Sequence, residues 1–190
     1  TAGFGNMLRK DCTTPSPKRK LVADIYYVRD YADTVGDGVP TLARSRFDFV
    51  GGTLAQQPPT PLIEGVEGFR VELGLDTLSK TGAAVDYTTA IAWADPANKS
   101  TPANRGDGSP DGNFVHCTTS PACTADQLVN VVAVRLFVLA RSSEASPGHT
   151  DTRTYQLGGA TLGPFNDHYK RHAFSTSVRL SNVTGRRETP

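Results

Sequence analysis

The chain has 190 residues, 37% of them hydrophobic, with 18 glycines and 13 prolines, and its 20 basic and 19 acidic residues leave a net charge of +1. That length suits one good-sized core rather than two domains, and the Gly and Pro content favours a turn-rich β fold over a helix bundle. A near-neutral chain has no strong field with which to recruit nucleic acid or an anionic membrane, so neither is favoured as a partner, and no apolar run approaches the ~20 residues of a membrane helix.

Residues 1–20 read as a loosely held leading segment, in which the basic triplet Lys18-Arg19-Lys20 is too short for a nucleic-acid arm and suits a solvated loop. Residues 21–29, rich in Ile, Val and Tyr, predict a strand. Asp37-Gly38 is a hairpin signal, and residues 41–50 form the return strand, with Arg44 and Arg46 on one parity and Phe47 and Phe49 on the other. Residues 51–61, rich in Gly, Pro and Gln, read as a loop. Residues 62–66 read as a helical turn or a bulged strand. Beyond them Phe69, Val71, Leu73 and Leu75 alternate with Arg70, Glu72 and Gly74, which is the period of a strand.

Residues 76–124 carry little pattern, and 96–124 in particular read as a long irregular loop region, a kind of segment that is usually functional or mobile. Ala and Ile within 87–94 permit a short helix. Thr124 and Gln127 then fit a capping box, which predicts one helical turn. Residues 127–141 are the longest apolar segment. Val dominates it and both parities are apolar, so it reads as a central strand, with a buried helix as the competing reading. Arg135 and Arg141 share the parity of Val131 and Phe137, so that face should reach water near its ends. A polar loop at 142–150, a short strand at 152–157 and a glycine-rich connection at 158–167 lead to the last strand, 170–182. There Phe174, Thr176, Val178 and Leu180 share one face and Ser175, Ser177, Arg179 and Ser181 the other. The expectation is that 131–140 and 174–180 lie in one antiparallel sheet system, with Phe174, Val178 and Leu180 buried and Arg179 exposed.

The sharpest motif is Asp107-Gly108-Ser109-Pro110-Asp111-Gly112, the opening of a calcium loop. Calcium needs several hard oxygen ligands around a tight turn. Asp107, Ser109 and Asp111 would supply side-chain oxygens and Asn113 its carbonyl. Thr118 stands where an EF-hand has its bidentate Glu, so a closing carboxylate such as Asp126 or Asp86 is needed. The plain alternative is a solvated turn, because Asp, Gly, Ser and Pro are ordinary turn residues. Cys117 and Cys123 enclose a short polar loop compatible with a disulfide in an oxidising compartment such as the periplasm. The alternative is a pair of buried thiols, which Pro121 and the Ser/Thr content disfavour. Cys12 has no local partner and is read as unpaired within this chain.

Other motifs carry less. Arg105-Gly106-Asp107 spells an adhesion tripeptide that recurs by chance. His168 and His172 would meet only on a helix, and exposed polar histidines are the favoured reading. His116 beside Cys117 lacks the third group of a catalytic pair. Glu64 and Glu67 read as surface acids rather than a glycosidase pair. Asn98 and Asn182 fit a glycosylation pattern. Lys170-Arg171-His172 and Arg186-Arg187 read as an interface patch or as charged strand ends that discourage edge pairing.

Val131-Val132-Ala133-Val134-Arg135, Leu139-Ala140-Arg141-Ser142, the run Gly148-His149-Thr150-Asp151-Thr152-Arg153-Thr154-Tyr155 and the run from Lys170-Arg171-His172-Ala173-Phe174 to Asn182 resemble the C-terminal half of PilW-type minor pilins of type IV pili. Ile25-Tyr26-Tyr27-Val28-Arg29-Asp30, Gly36-Asp37-Gly38-Val39-Pro40-Thr41-Leu42 and Ile63-Glu64-Gly65-Val66-Glu67-Gly68-Phe69 resemble the same family in the same order. The resemblance implies an α+β, β-rich fold: a pilin-like head of antiparallel sheets with long irregular loops, spanning 1–190. It implies a minor pilin in a tip or priming complex, supporting pilus biogenesis, twitching, adhesion or DNA uptake. Its partners would be other minor pilins, the major pilin and a tip adhesin. Acidic Asp-Gly-Asp-Gly loops occur near the 107–112 position in such pilins. The protein would start in the inner membrane and periplasm and end at the extracellular pilus tip, held by a long apolar N-terminal helix. That helix is absent from this sequence, which therefore reads as a soluble head. Nothing calls for catalysis. A J-kind pseudopilin of type II secretion shares the implied fold and tip position. A secreted β-rich enzyme or ligand-binding domain is the third reading, and an apolar pocket with convergent polar groups would favour it.

Overall fold

Turn chemistry and alternation set most of the strands. The computed structural model describes residues 8–9, 13–17, 22–86, 96 and 104–181. Its elements are β1 (Ala23–Arg29), β2 (Thr41–Val50), β3 (Thr53–Gln56), β4 (Thr60–Glu64), β5 (Val66–Leu75), α1 (Ala125–Val129), β6 (Val131–Arg141), β7 (Tyr155–Leu157), β8 (Ala160–Leu162) and β9 (Arg171–Arg179). All described pairings of these strands are antiparallel. The chain is β-rich, and among the described residues helix is confined to α1 and the single positions Pro96 and Ser181.

In the first sheet β2 is flanked by β1 on one side and by β3 and β4 on the other. Asp37 shapes the β1–β2 connection. Its carboxylate accepts from the N–H groups of Val39 (2.9 Å), Asp33 (3.0 Å), Ala32 (3.0 Å) and Thr34 (3.2 Å). These bonds, that of Val39 foremost, hold it down to about 2. The region read as a loop at 51–61 contains β3 and the start of β4. Gly51 and Gly52, at φ 60° and 85°, make a two-residue turn between Val50 and Thr53, so the glycines begin a hairpin rather than end order. Residues 62–66 are strand, bent at Gly65 (φ 79°), whose N–H donates to the Pro40 carbonyl at 2.7 Å.

The second sheet runs β5-β6-β9, and the strand reading of 131–140 holds over the helical one. Just before it, the capping box forms as expected: Thr124 Oγ1 accepts from Gln127 N at 3.2 Å and Gln127 Oε1 from Thr124 N at 2.9 Å. On one face of this sheet the β7–β8 hairpin buries Leu139, Tyr155 and Leu157 against Phe137, Leu162, Phe165 and Ala173.

The β7–β8 hairpin and the 104–116 loop land on β5 where it has no side chain. A Cβ on Gly68 would lie 2.9 Å from Leu162 Cδ1 and 3.0 Å from Leu157 Cδ2. A Cβ on Gly74 would lie 2.9 Å from Pro110 Cγ and 3.0 Å from Phe114 Cε1. Gly68 thus seats the hairpin and Gly74 seats the loop, leaving Arg70 and Glu72 between them.

The expected burial of the last strand fails. Phe174 and Val178 are 55% and 49% exposed. Among the described strands β9 is the edge of its sheet, and no described element leaves Phe174 or Val178 buried. Leu180 falls past the strand end, half-buried, with its N–H on the Val132 carbonyl at 2.8 Å. Arg179 is exposed, as expected. The helix read at 87–94, Cys12, Asn98, Asn182, Arg186 and Arg187 lie outside the described residues.

Candidate functional site

The two faces of the β5-β6-β9 sheet differ in kind. On one, the ladder places Phe69, Val138 and Phe174 side by side, then Val71, Leu136 and Thr176, then Leu73, Val134 and Val178. This three-by-three grid is apolar except for Thr176. The β5 and β6 members are half-buried and the β9 members exposed. At ordinary sheet spacings it measures roughly 10 by 14 Å. This grid is the candidate interaction surface. His172 extends it, its ring 4.5 Å from that of Phe174.

At one end of the sheet lies a buried charge cluster that fixes the loops. Arg171 is 5% exposed. Its guanidinium donates to Asp167 (2.6 Å from Nη1 and from Nη2), Glu67 (2.5 Å from Nε, 3.0 Å from Nη2) and Asp151 (3.1 Å from Nη1), and stacks 3.8 Å from the Phe165 ring centre. Glu67 also accepts from Arg141 at 3.3 Å, and Arg141 reaches the Gly38 carbonyl at 2.6 Å, joining the first sheet to the second. The Asp167 carboxylate raises the Arg171 pKa and is itself held by Arg171 at about 2. Burial alone would raise Asp151, but hydrogen bonds from Tyr155, Arg171 and Arg153 outweigh it and hold it low. Every carboxylate here is engaged by a cation or a hydroxyl. The cluster is a clamp joining β5, β6, β9 and the 142–170 segment.

The family described as Type IV Pilus-assembly protein W matches the chain over residues 25–182. The chain belongs to this family. It therefore takes part in type IV pilus assembly. No curated protein and no solved structure matches it. Among the described residues of this PilW-family chain, no helix is long and apolar enough to cross a membrane.

The residues singled out in the sequence fall in several places. Cys117 and Cys123 are joined by a disulfide, with Cα atoms 5.1 Å apart. Asp107 Oδ1 accepts from Ser109 N at 2.8 Å, while Asp111 Oδ2 accepts from Thr77 N and Leu78 N at 2.6 Å each. Ser109 and Asn113 are exposed. Among the described residues, no third carboxylate closes the set. Among the described residues, no group of three or more His, Cys, Asp or Glu side chains stands ready for a metal ion. Asp107 thus serves its own loop's backbone, and Asp111 ties the loop to the backbone of Thr77 and Leu78.

Arg105 of the Arg-Gly-Asp tripeptide is 3% exposed, so that tripeptide is not displayed. His168 Nδ1 lies 2.5 Å from the His149 carbonyl, and His116 Nδ1 lies 2.7 Å from the Val71 carbonyl. Glu64 is exposed, whereas Glu67 belongs to the clamp. Sequence reasoning missed the clamp. Arg171 was read within a charged strand end, and its acids lie 4, 20 and 104 residues away in sequence.

Proposed function

We propose that this chain is the head of a minor pilin, and that its apolar grid seats an apolar α-helix in the assembled filament. The carrying observation is the grid of eight apolar side chains across β5, β6 and β9. A helix with its side chains is about 10–12 Å across, which matches the width of the three strands. A long apolar helix is also the element that the pilin resemblance implies. Burying that grid would give non-directional stabilisation that scales with the apolar area removed from water. On this reading the complete protein has the α+β architecture of a pilin, sits in the inner membrane and periplasm before assembly, and joins other minor pilins, the major pilin and a tip adhesin in a priming complex. Adhesion and twitching follow from the pili so assembled.

The test is complementation with the full-length protein. Leu136→Glu with Val138→Glu should abolish surface pili, while Thr152→Glu, exposed on the 142–170 segment, should leave them. Circular dichroism of the heads should match wild type. Normal piliation with the double variant would overturn the reading. Intact pili with lost protein secretion would place the chain in a type II secretion apparatus instead.

A further inference from the structure

On the sheet face opposite the grid, a cleft of about 550 Å³ lies between the β7–β8 hairpin and the 104–116 loop. Its floor is the strip of β5 and β6 left bare between Gly68 and Gly74: Arg70, Glu72, Arg135 and Phe137. It adjoins a second cavity of about 440 Å³, and the two share Arg70 and His116. That second cavity is lined mostly by aliphatic and aromatic groups, among them Tyr26, Val28, Leu157 and Leu162, with Glu67 also in its wall. One groove therefore runs from an apolar end to a charged end.

The charged end is unbalanced. Arg70 uses Nε on Glu72 at 2.9 Å, and among the described residues both of its Nη groups are left for another acceptor. Glu72 is already committed, since it also accepts from Gly159 N at 3.0 Å. Arg135 makes no ion pair among the described residues. Its Nε donates to Ser177 Oγ at 3.3 Å, and its guanidinium rests 4.0 Å from the centre of the Phe114 ring. Arg70 pairs with Phe137 and Glu72 with Arg135, so the two arginines are diagonal neighbours across the ladder, about 7–8 Å apart. Two arginines rooted at diagonal positions, both lining one cleft beside the Phe114 ring, suit one carboxylate between them. His116 donates from Nδ1 to the Val71 carbonyl at 2.7 Å, which leaves Nε2 as the ring nitrogen that can meet a peptide group.

We infer that this groove binds an extended segment of a partner protein carrying an acidic side chain next to an aliphatic or aromatic one. The carboxylate sits between Arg70 and Arg135, and the apolar side chain fills the space at Val28, Leu157 and Leu162. An acidic saccharide would satisfy the arginines, but its hydroxyls would be left unpaired against those aliphatic side chains. The inference goes beyond the pilin-head reading and does not depend on it, because the charged end of the groove and the grid lie on opposite faces of the sheet.

The test is an NMR titration of the ¹⁵N-labelled full chain with a panel of acetylated, amidated hexapeptides. Each carries one Asp or Glu beside Leu or Phe, and each has an Asn or Gln counterpart. Acidic members should shift the amides of residues 113–116 and 156–160 saturably, and their amide counterparts should bind about tenfold more weakly. Arg135→Gln should cause a similar loss with the rest of its spectrum unchanged. Ala160→Phe should weaken binding by crowding the apolar end, and Thr176→Gln on the grid should leave it unchanged. The inference is overturned if no peptide shifts these amides at millimolar concentration, if acid and amide members bind equally, or if a glucuronic acid disaccharide saturates the same amides more tightly than every peptide.

Discussion

The two faces of the β5-β6-β9 sheet are written in alternate letters of the same strand. From Gly68 to Gly74 the odd positions Phe69, Val71 and Leu73 build the apolar grid, and the even positions Gly68, Arg70, Glu72 and Gly74 build the covered face. The covered face takes its layer from within the chain, because two glycines let the hairpin and the loop approach the backbone. The grid face has no such gaps and, among the described residues, no such layer. Absent side chains, as much as apolar ones, decide which face this chain covers itself and which it offers to something else.

The largest effect that would break this comparison lies at the clamp. Arg171→Ala would leave Asp151, Asp167 and Glu67 without their common partner, and breaking a buried ion cluster in this way costs about 3–5 kcal/mol. Urea unfolding should show a loss of that size, with the 142–170 segment loosening first by hydrogen exchange. A loss below about 1 kcal/mol, the value of an exposed pair, would mean that the hairpin layer holds without the clamp.

The next contrast sets the two faces side by side. Leu139 is fully buried under the hairpin, so Leu139→Ala should cost about 2–5 kcal/mol. Phe174→Ser on the grid should change the stability of the isolated head by less than about 1 kcal/mol, because a surface substitution there leaves no cavity, yet it should reduce piliation. Equal destabilisation by the two would show that the grid is already covered.

A smaller effect concerns acid. Arg171 holds Asp167 at about 2, below its unfolded value of about 3.9. The ionised carboxylate therefore adds stability that is fully present above the unfolded value and is lost as pH falls through the folded one. Asp37, held at about 2 by backbone N–H groups, titrates in the same window. The informative quantity is the difference between wild type and Asp167→Asn. The variant should be less stable at pH 7, and the gap should close between about pH 4 and pH 2. A gap that persists at pH 2 would show that Asn disturbs the clamp by shape rather than by charge.

Most strands were legible because their signals are local. The alternation of 69–75, the Val-rich run of β6, the Asp37 turn and the Thr124 capping box each rest on neighbours in sequence, and each forms. The disulfide was legible from a short polar loop between two cysteines. β3 was missed because Gly51-Gly52 looked like loop composition, although the same pair makes a hairpin turn. Phe174 and Val178 were expected to be buried because alternation tells which residues share a face, not whether anything lies upon it. The clamp and the groove were illegible for a different reason. Glu67, Asp151 and Arg171, or Arg70, Phe114 and Arg135, come together only after the strands pair, and no local pattern encodes that meeting.

The smallest expected effect concerns calcium at Asp107, Ser109, Asp111 and Asn113, where the plain turn and the ion site part company. Asp111→Ala removes an acceptor from the N–H groups of Thr77 and Leu78, so it should loosen residues 76–78 whether or not an ion binds. That variant cannot separate the two readings, but wild type can. An ion that binds only the folded loop would raise its protection with concentration, and weak extracellular sites fill near ~1 mM calcium. Hydrogen exchange across residues 104–116 should be the same in chelator and at that calcium level, because the carboxylates already serve backbone donors and, among the described residues, no third carboxylate joins them. Protection that rises with calcium, and fails to rise in Asp107→Asn, would instead require the loop to rearrange around an ion.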